Sequence, residues 1–85
     1  MKIKPGTWII AGCYGEAVCL SEKEGWVVFR YEATRCSDGK TIWTQNGVPK
    51  GECLFLREPD EISQHVLTLE GPYGEVPLKT PTLVD

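Results

Sequence analysis

Between residues 25 and 32 the chain reads Gly-Trp-Val-Val-Phe-Arg-Tyr-Glu, its densest run of β-branched and aromatic residues. At a period of two, Val27, Phe29 and Tyr31 share one face and Trp26, Val28, Arg30 and Glu32 share the other, which is the pattern of a strand. Three successive apolar groups on one face require a facing layer to bury them. Residues 7–11 and 52–57 are the apolar runs able to supply it, so the pattern predicts a central strand with one short apolar strand before it and another after it.

The remaining elements follow in chain order. Lys4-Pro5-Gly6 reads as a turn that launches a strand over residues 7–11. Gly12-Cys13-Tyr14-Gly15 is a second turn, after which residues 16–20 alternate again, with Val18 and Leu20 on one face. Residues 21–25 form a charged tight connection in which Gly25 supplies the positive φ of a hairpin, and the first three strands make a meander. Beyond the central strand comes a polar loop over 33–40 with an Asp38-Gly39 turn. A fourth strand over 41–44 follows, with Asn46-Gly47 closing another turn. Pro49 has no N–H to give a ladder, so the next strand is expected to start near Glu52 and run to Arg57; apolar on both faces, it is expected in the sheet interior. Glu58-Pro59-Asp60-Glu61-Ile62 reads as a helix start, with proline early and acids in the first turn. The β-branched alternation of residues 66–70 predicts that a single helical or 3-10 turn near residues 59–64 then gives way to a strand. Residues 75–85, with Pro77 and Pro81, read as an extended tail.

The order of these elements, together with Pro5-Gly6-Thr7-Trp8-Ile9, Gly15-Glu16-Ala17-Val18 and Val27-Val28-Phe29-Arg30-Tyr31-Glu32, resembles the SH3-like small barrels of the KOW or Tudor type over roughly residues 4–70. The resemblance implies a mostly β, five- or six-stranded SH3-like barrel over about residues 4–70. Its short helical or 3-10 turn falls near 59–64 and its C-terminal extension covers 71–85. It implies no function, because one such scaffold hosts many unrelated ones.

Composition narrows this picture. With 85 residues there is room for one domain, 1–85, and one core. A 41% hydrophobic and 25% charged composition is that of an ordinary folded chain. The positively charged opening is followed by no apolar segment of signal-peptide length, and apolar runs of about four residues fall far short of the roughly 20 that span a bilayer. A cytoplasmic location without a membrane partner is therefore expected. The cysteines, Cys13, Cys19, Cys36 and Cys53, show no C-x-x-C spacing. Buried free thiols are the simplest reading. A bridge between Cys13 and Cys19, which flank a Tyr-Gly turn, and a scattered metal set with His65 remain as alternatives; no metal and no cofactor is assigned.

Candidate chemistry is sparse. The single histidine, His65, falls in a polar turn, no glycine-rich phosphate loop or His-Glu-x-x-His motif is present, and the carboxylates are scattered. A non-enzymatic chain is expected. Net charge is −3, split between residues 1–57, with eight Lys and Arg against six Asp and Glu, and residues 58–85, with one against six. The three tryptophans and three tyrosines exceed what so small a core readily buries with every polar ring atom satisfied. Exposed aromatics beside arginine are typical interface anchors. Trp26, Tyr31 and Trp43 are the candidates, with Arg30 and Arg35 as rim partners. Tyr14 and Tyr73 join them through the repeated pattern Gly-x-Tyr-Gly-Glu at residues 12–16 and 71–75, two turns whose tyrosines would form a small aromatic platform. The expected function is protein–protein interaction, as an adaptor, accessory subunit or small inhibitor of a larger complex that handles nucleic acid. In that last role the acidic final third would mimic phosphates. The alternative is a nucleic-acid-binding module whose face combines Lys2, Lys4, Arg30, Arg35, Lys40 and Lys50 with Trp26, Tyr31 and Trp43.

Overall fold

The computed structural model describes residues 3–34 and 36–70 and the backbone of 74–75. Its strands are β1 (Trp8–Ala11), β2 (Glu16–Lys23), β3 (Trp26–Thr34), β4 (Thr41–Pro49), β5 (Cys53–Arg57) and the two-residue β6 (Gly74–Glu75). One helix, α1 (Glu61–Leu67), and 3-10 turns at Gly12–Tyr14 and Lys50–Glu52 complete the described elements. All strands join one antiparallel sheet in the order β5-β1-β2-β3-β4-β6, so the chain is mostly β and β3 lies inside the sheet.

Three expectations are corrected. First, Asn46-Gly47 is no turn: β4 continues through it to Pro49, pairing with β3 at every residue from Trp26↔Pro49 to Thr34↔Thr41. Tertiary contacts override the local turn propensity here. The Asn46 amide donates to the Tyr14 hydroxyl at 3.0 Å and its oxygen accepts from the Gly47 N–H, while Trp26 lies where a Gly47 Cβ would point. Pro49 is tolerated because it is the last residue of the strand. Second, β5 is an edge strand and not an interior one. Third, no strand forms at 66–70. The helix runs on to Leu67 because both of its ends are satisfied. At its start the Asp60 carboxylate accepts from the Ser63 N–H at 2.9 Å and the Ser63 hydroxyl oxygen accepts from the Asp60 N–H, also at 2.9 Å. At its end Arg30 Nη1 donates to the carbonyls of Val66 and Leu69 at 2.8 and 3.0 Å.

The sheet is rolled, and chain connectivity demands it. In a flat sheet β4 and β5, four places apart, would be separated by about 19 Å. Only the 3-10 turn Lys50–Glu52 joins Pro49 to Cys53, an advance of about 8 Å at 3-10 rise. The two strands must therefore approach each other at this end. Register shifts in β2 near Cys19 and between β1 and β5 near Trp8 supply extra twist. The Lys50 N–H bonds to the Gly25 carbonyl at 2.7 Å and ties the turn to the β2–β3 hairpin. That hairpin closes at Lys23↔Trp26 through Glu24 and Gly25, both at positive φ as a two-residue primed turn requires. No ladder joins β4 to β5 among the described residues, so the sheet remains open.

Rolling gives the sheet an inner and an outer face, each with its own core. Inside lie Ile9, Ala11, Ala17, Cys19, Val27, Phe29, Val48 and Cys53. Outside, α1 covers Trp8, Val18 and Trp43 with Val66, flanked by Leu56, Leu67 and Leu69. Trp8 is further covered by the Arg57 guanidinium, 4.4 Å above its ring.

The helix cap is pH-linked. Partial burial pushes the Asp60 carboxyl up, but the Ser63 N–H, the Trp8 indole, the Ser63 hydroxyl and the Arg57 guanidinium together outweigh it and hold its pKa below the ordinary 3.8. The unfolded chain thus takes up this proton first as pH falls. The cap's contribution is complete above 3.8 and is lost as pH drops through the folded value. Asp60→Asn keeps an acceptor at the N-cap and has no proton to take, so its stability should fall less steeply than the parent's in acid. Urea unfolding followed from about pH 5 to pH 2 reads the difference, and identical slopes would exclude the linkage.

Candidate functional site

β3 carries most of the residues singled out from the sequence, and its pleat separates them. Trp26 and Arg30 point to the outer face and Tyr31 to the inner one. Tyr31 meets Phe29 and Tyr14 there, with ring centroids 5.0 to 5.9 Å apart and planes tilted by 54 to 57°. Tyr14 reaches this cluster because the 3-10 turn Gly12–Tyr14 folds it back from the β1–β2 connection. The spacing is that of rings in direct edge-and-face contact, which leaves no room for a guest between them. Tyr14 and Tyr31 are half-buried and form the wall of the inner core.

On the outer face two of the expected anchors are buried. Trp43 is only 4% exposed, packed beneath α1 with Trp8, Val18 and Val66. Arg30 is 8% exposed and directs Nη1 to the helix carbonyls, while its Nε donates to Gln45 Oε1 at 3.3 Å. Neither is available to a partner from this position, and a basic and aromatic face containing both is not assembled. Arg35 and Tyr73 lie outside the described residues.

Trp26 alone of the described candidates is open, at 50% exposure. It begins β3 beyond the end of α1's cover, opposite Pro49, and its indole lies flat against the backbone of Gly47. A Cβ built at Gly47 would stand 2.5 Å from the indole Nε1 and 3.2 Å from Cε2, so only glycine admits the ring in this position. The outer face near Trp26 continues with half-buried Val28. Leu54 of β5, 66% exposed and paired with Ile10, follows the Lys50–Glu52 turn at the same end of the rolled sheet.

Sequence reasoning missed Gly47 and Leu54. Gly47 carries the signature of a turn, and only the β3 ladder reveals its role under Trp26. Leu54-Phe55-Leu56 looks interior because an apolar run does not reveal which side lacks a neighbour.

The cysteines are all free. Cys19 and Cys53 are buried as expected, whereas Cys13 and Cys36 are exposed. Burial, reinforced by Cys53 and Glu22, pushes the Cys19 thiol up to about 11, and burial with Glu52 raises Cys53. Both inner thiols stay protonated at neutral pH. Among the described residues no group of three or more His, Cys, Asp or Glu is placed to hold a metal ion, and no helix is long and apolar enough to cross a membrane. His65 sits in the last turn of α1, exposed.

Compared with known families, curated proteins and solved structures, the chain matches none.

Proposed function

We propose that this chain is a non-enzymatic protein-binding module that docks through the outer face around Trp26, as an adaptor, accessory subunit or small inhibitor of a larger complex. The observation that carries the reading is a large ring, half in solvent, seated on a glycine. A rigid aromatic that is already oriented loses little conformational freedom on binding and supplies much apolar contact area. The rolled antiparallel meander, whose two ends approach across a 3-10 turn, supports an SH3-like small barrel as the scaffold. Such scaffolds are compatible with this use and do not dictate it.

Capture of the partner from the native host with the tagged full chain, followed by mass spectrometry, identifies what is bound. Trp26→Ala should then weaken that complex by at least about 30-fold, as expected for an anchor residue. Gly47→Ala should do nearly the same without touching the partner, because its new methyl displaces the indole. Both variants should keep the parent's far-UV spectrum. Affinity should change little with ionic strength if aromatic contact dominates, whereas phosphate contacts would make it fall steeply with salt. Undiminished binding by both variants would rule out Trp26 as the anchor, and a steep salt dependence would favour the nucleic-acid alternative.

A further inference from the structure

The outer side of β5 is a bare sheet edge among the described residues: β1 pairs with one side and nothing with the other. Cys53, Leu54, Phe55 and Leu56 include no charge and no proline, the usual devices that blunt such an edge. Leu54, midway along this apolar run, is the most exposed large apolar side chain described, at 66%. An unpaired row of N–H and C=O groups is complemented by another strand, and the charges flanking β5 indicate which one. Lys50 and Glu52 precede the strand, and Arg57 and Glu58 follow it. Reading the sequence antiparallel to itself sets Lys50 toward Glu58 and Glu52 beside Arg57, twice over. A parallel arrangement would set like against like.

From this self-complementarity we infer that β5 pairs with β5 of a second copy, antiparallel about a twofold axis through Leu54, to make a homodimer with one continuous sheet. In this register Leu54 opposes Leu54 of the second copy and Phe55 opposes its Cys53. Opposed residues must point to the same face, and only registers centred on a residue satisfy that for a symmetric antiparallel pair. The interface is short, so association is expected in the micromolar range and not the nanomolar. The inference does not depend on the role given to Trp26.

Sedimentation velocity on the full chain, from about 5 to 500 μM, should show a concentration-dependent monomer–dimer equilibrium. Leu54→Lys places two like charges at the axis and should raise the dissociation constant at least about 30-fold with an unchanged far-UV spectrum. Ile62→Lys removes an exposed apolar group on α1 instead and should leave the equilibrium as it was. To test the register, Leu54→Cys in a Cys13→Ser, Cys36→Ser background should give a disulfide-linked dimer under mild copper-phenanthroline oxidation, since directly opposed residues lie within bridging reach. A parent that is monomeric at every concentration overturns the inference, and points to a foreign strand or no strand at this edge. A dimer that survives Leu54→Lys overturns it too, as does failure of the Leu54→Cys variant to cross-link.

Discussion

Arg30→Ala should lower the free energy of unfolding by about 3 kcal/mol, with early loss of the helical signal, because it strands the end of α1. The guanidinium connects three places at once: β3, where it originates, Gln45 on β4, and the carbonyls of Val66 and Leu69 at the helix end. Helix carbonyls with no intrahelical donor need a partner when they are buried. Here the partner is a charged donor from the sheet, a hydrogen bond of the stronger kind. Truncation leaves these acceptors unpaired and opens a cavity between sheet and helix, two costs that add. Arg30→Lys should recover only part of the loss, since one ammonium does not reproduce the fork that spans Gln45 and two carbonyls. Equilibrium urea unfolding measures both variants. A loss below about 1 kcal/mol for Arg30→Ala would mean that water replaces the guanidinium at no real cost.

The same residue shows what a sequence discloses and what it withholds. Strand character at residues 26–32 is local, written in β-branched and aromatic residues at period two, and it stands in the structure as part of β3. The positive φ at Gly25 and the turn at Lys4-Pro5-Gly6 are local too, and both are present. The length of α1 is not local. Residues 66–70 alternate like a strand, and helix persists through Leu67 because a side chain 36 residues away in sequence accepts the task of capping it. A closer reading of Asp60 and Ser63, three residues apart, would have revealed the N-cap pair and argued for a true helix. No comparable signal marks Arg30 as a helix cap, since an arginine alternating with apolar residues on a strand looks like a surface residue. Exposure of the rings obeys the same division. The count of aromatics rightly indicates that at least one must face outward, and Trp26 does. Which one it is depends on where α1 lies across the sheet, a long-range fact, and so Trp43 exchanges the role assigned to it for that of a core residue.

Trp43→Ala should therefore behave as a core deletion, lowering stability by about 3–5 kcal/mol. At the sensitivity of a domain this size, about 4–8 °C per kcal/mol, that is a drop in melting temperature of at least about 12 °C. The indole fills the space between β4 and α1 against Trp8, Val18 and Val66, and no neighbour is flexible enough to close over its absence: two are β-branched and one is a second indole. Trp26→Ala removes the same group from a half-exposed position above Gly47 and should cost less than about 1 kcal/mol. Binding should show the reverse order at temperatures where both variants are folded, with Trp26→Ala impaired and folded Trp43→Ala intact. Fluorescence separates the two rings directly: loss of Trp43 removes a blue-shifted, quencher-protected component, and loss of Trp26 removes a red-shifted, accessible one. Equal melting temperatures for the two variants would contradict the placement of α1 over β4. Since α1 alone decides which part of the outer face is left bare, that result would also remove the reason for placing a docking surface at Trp26.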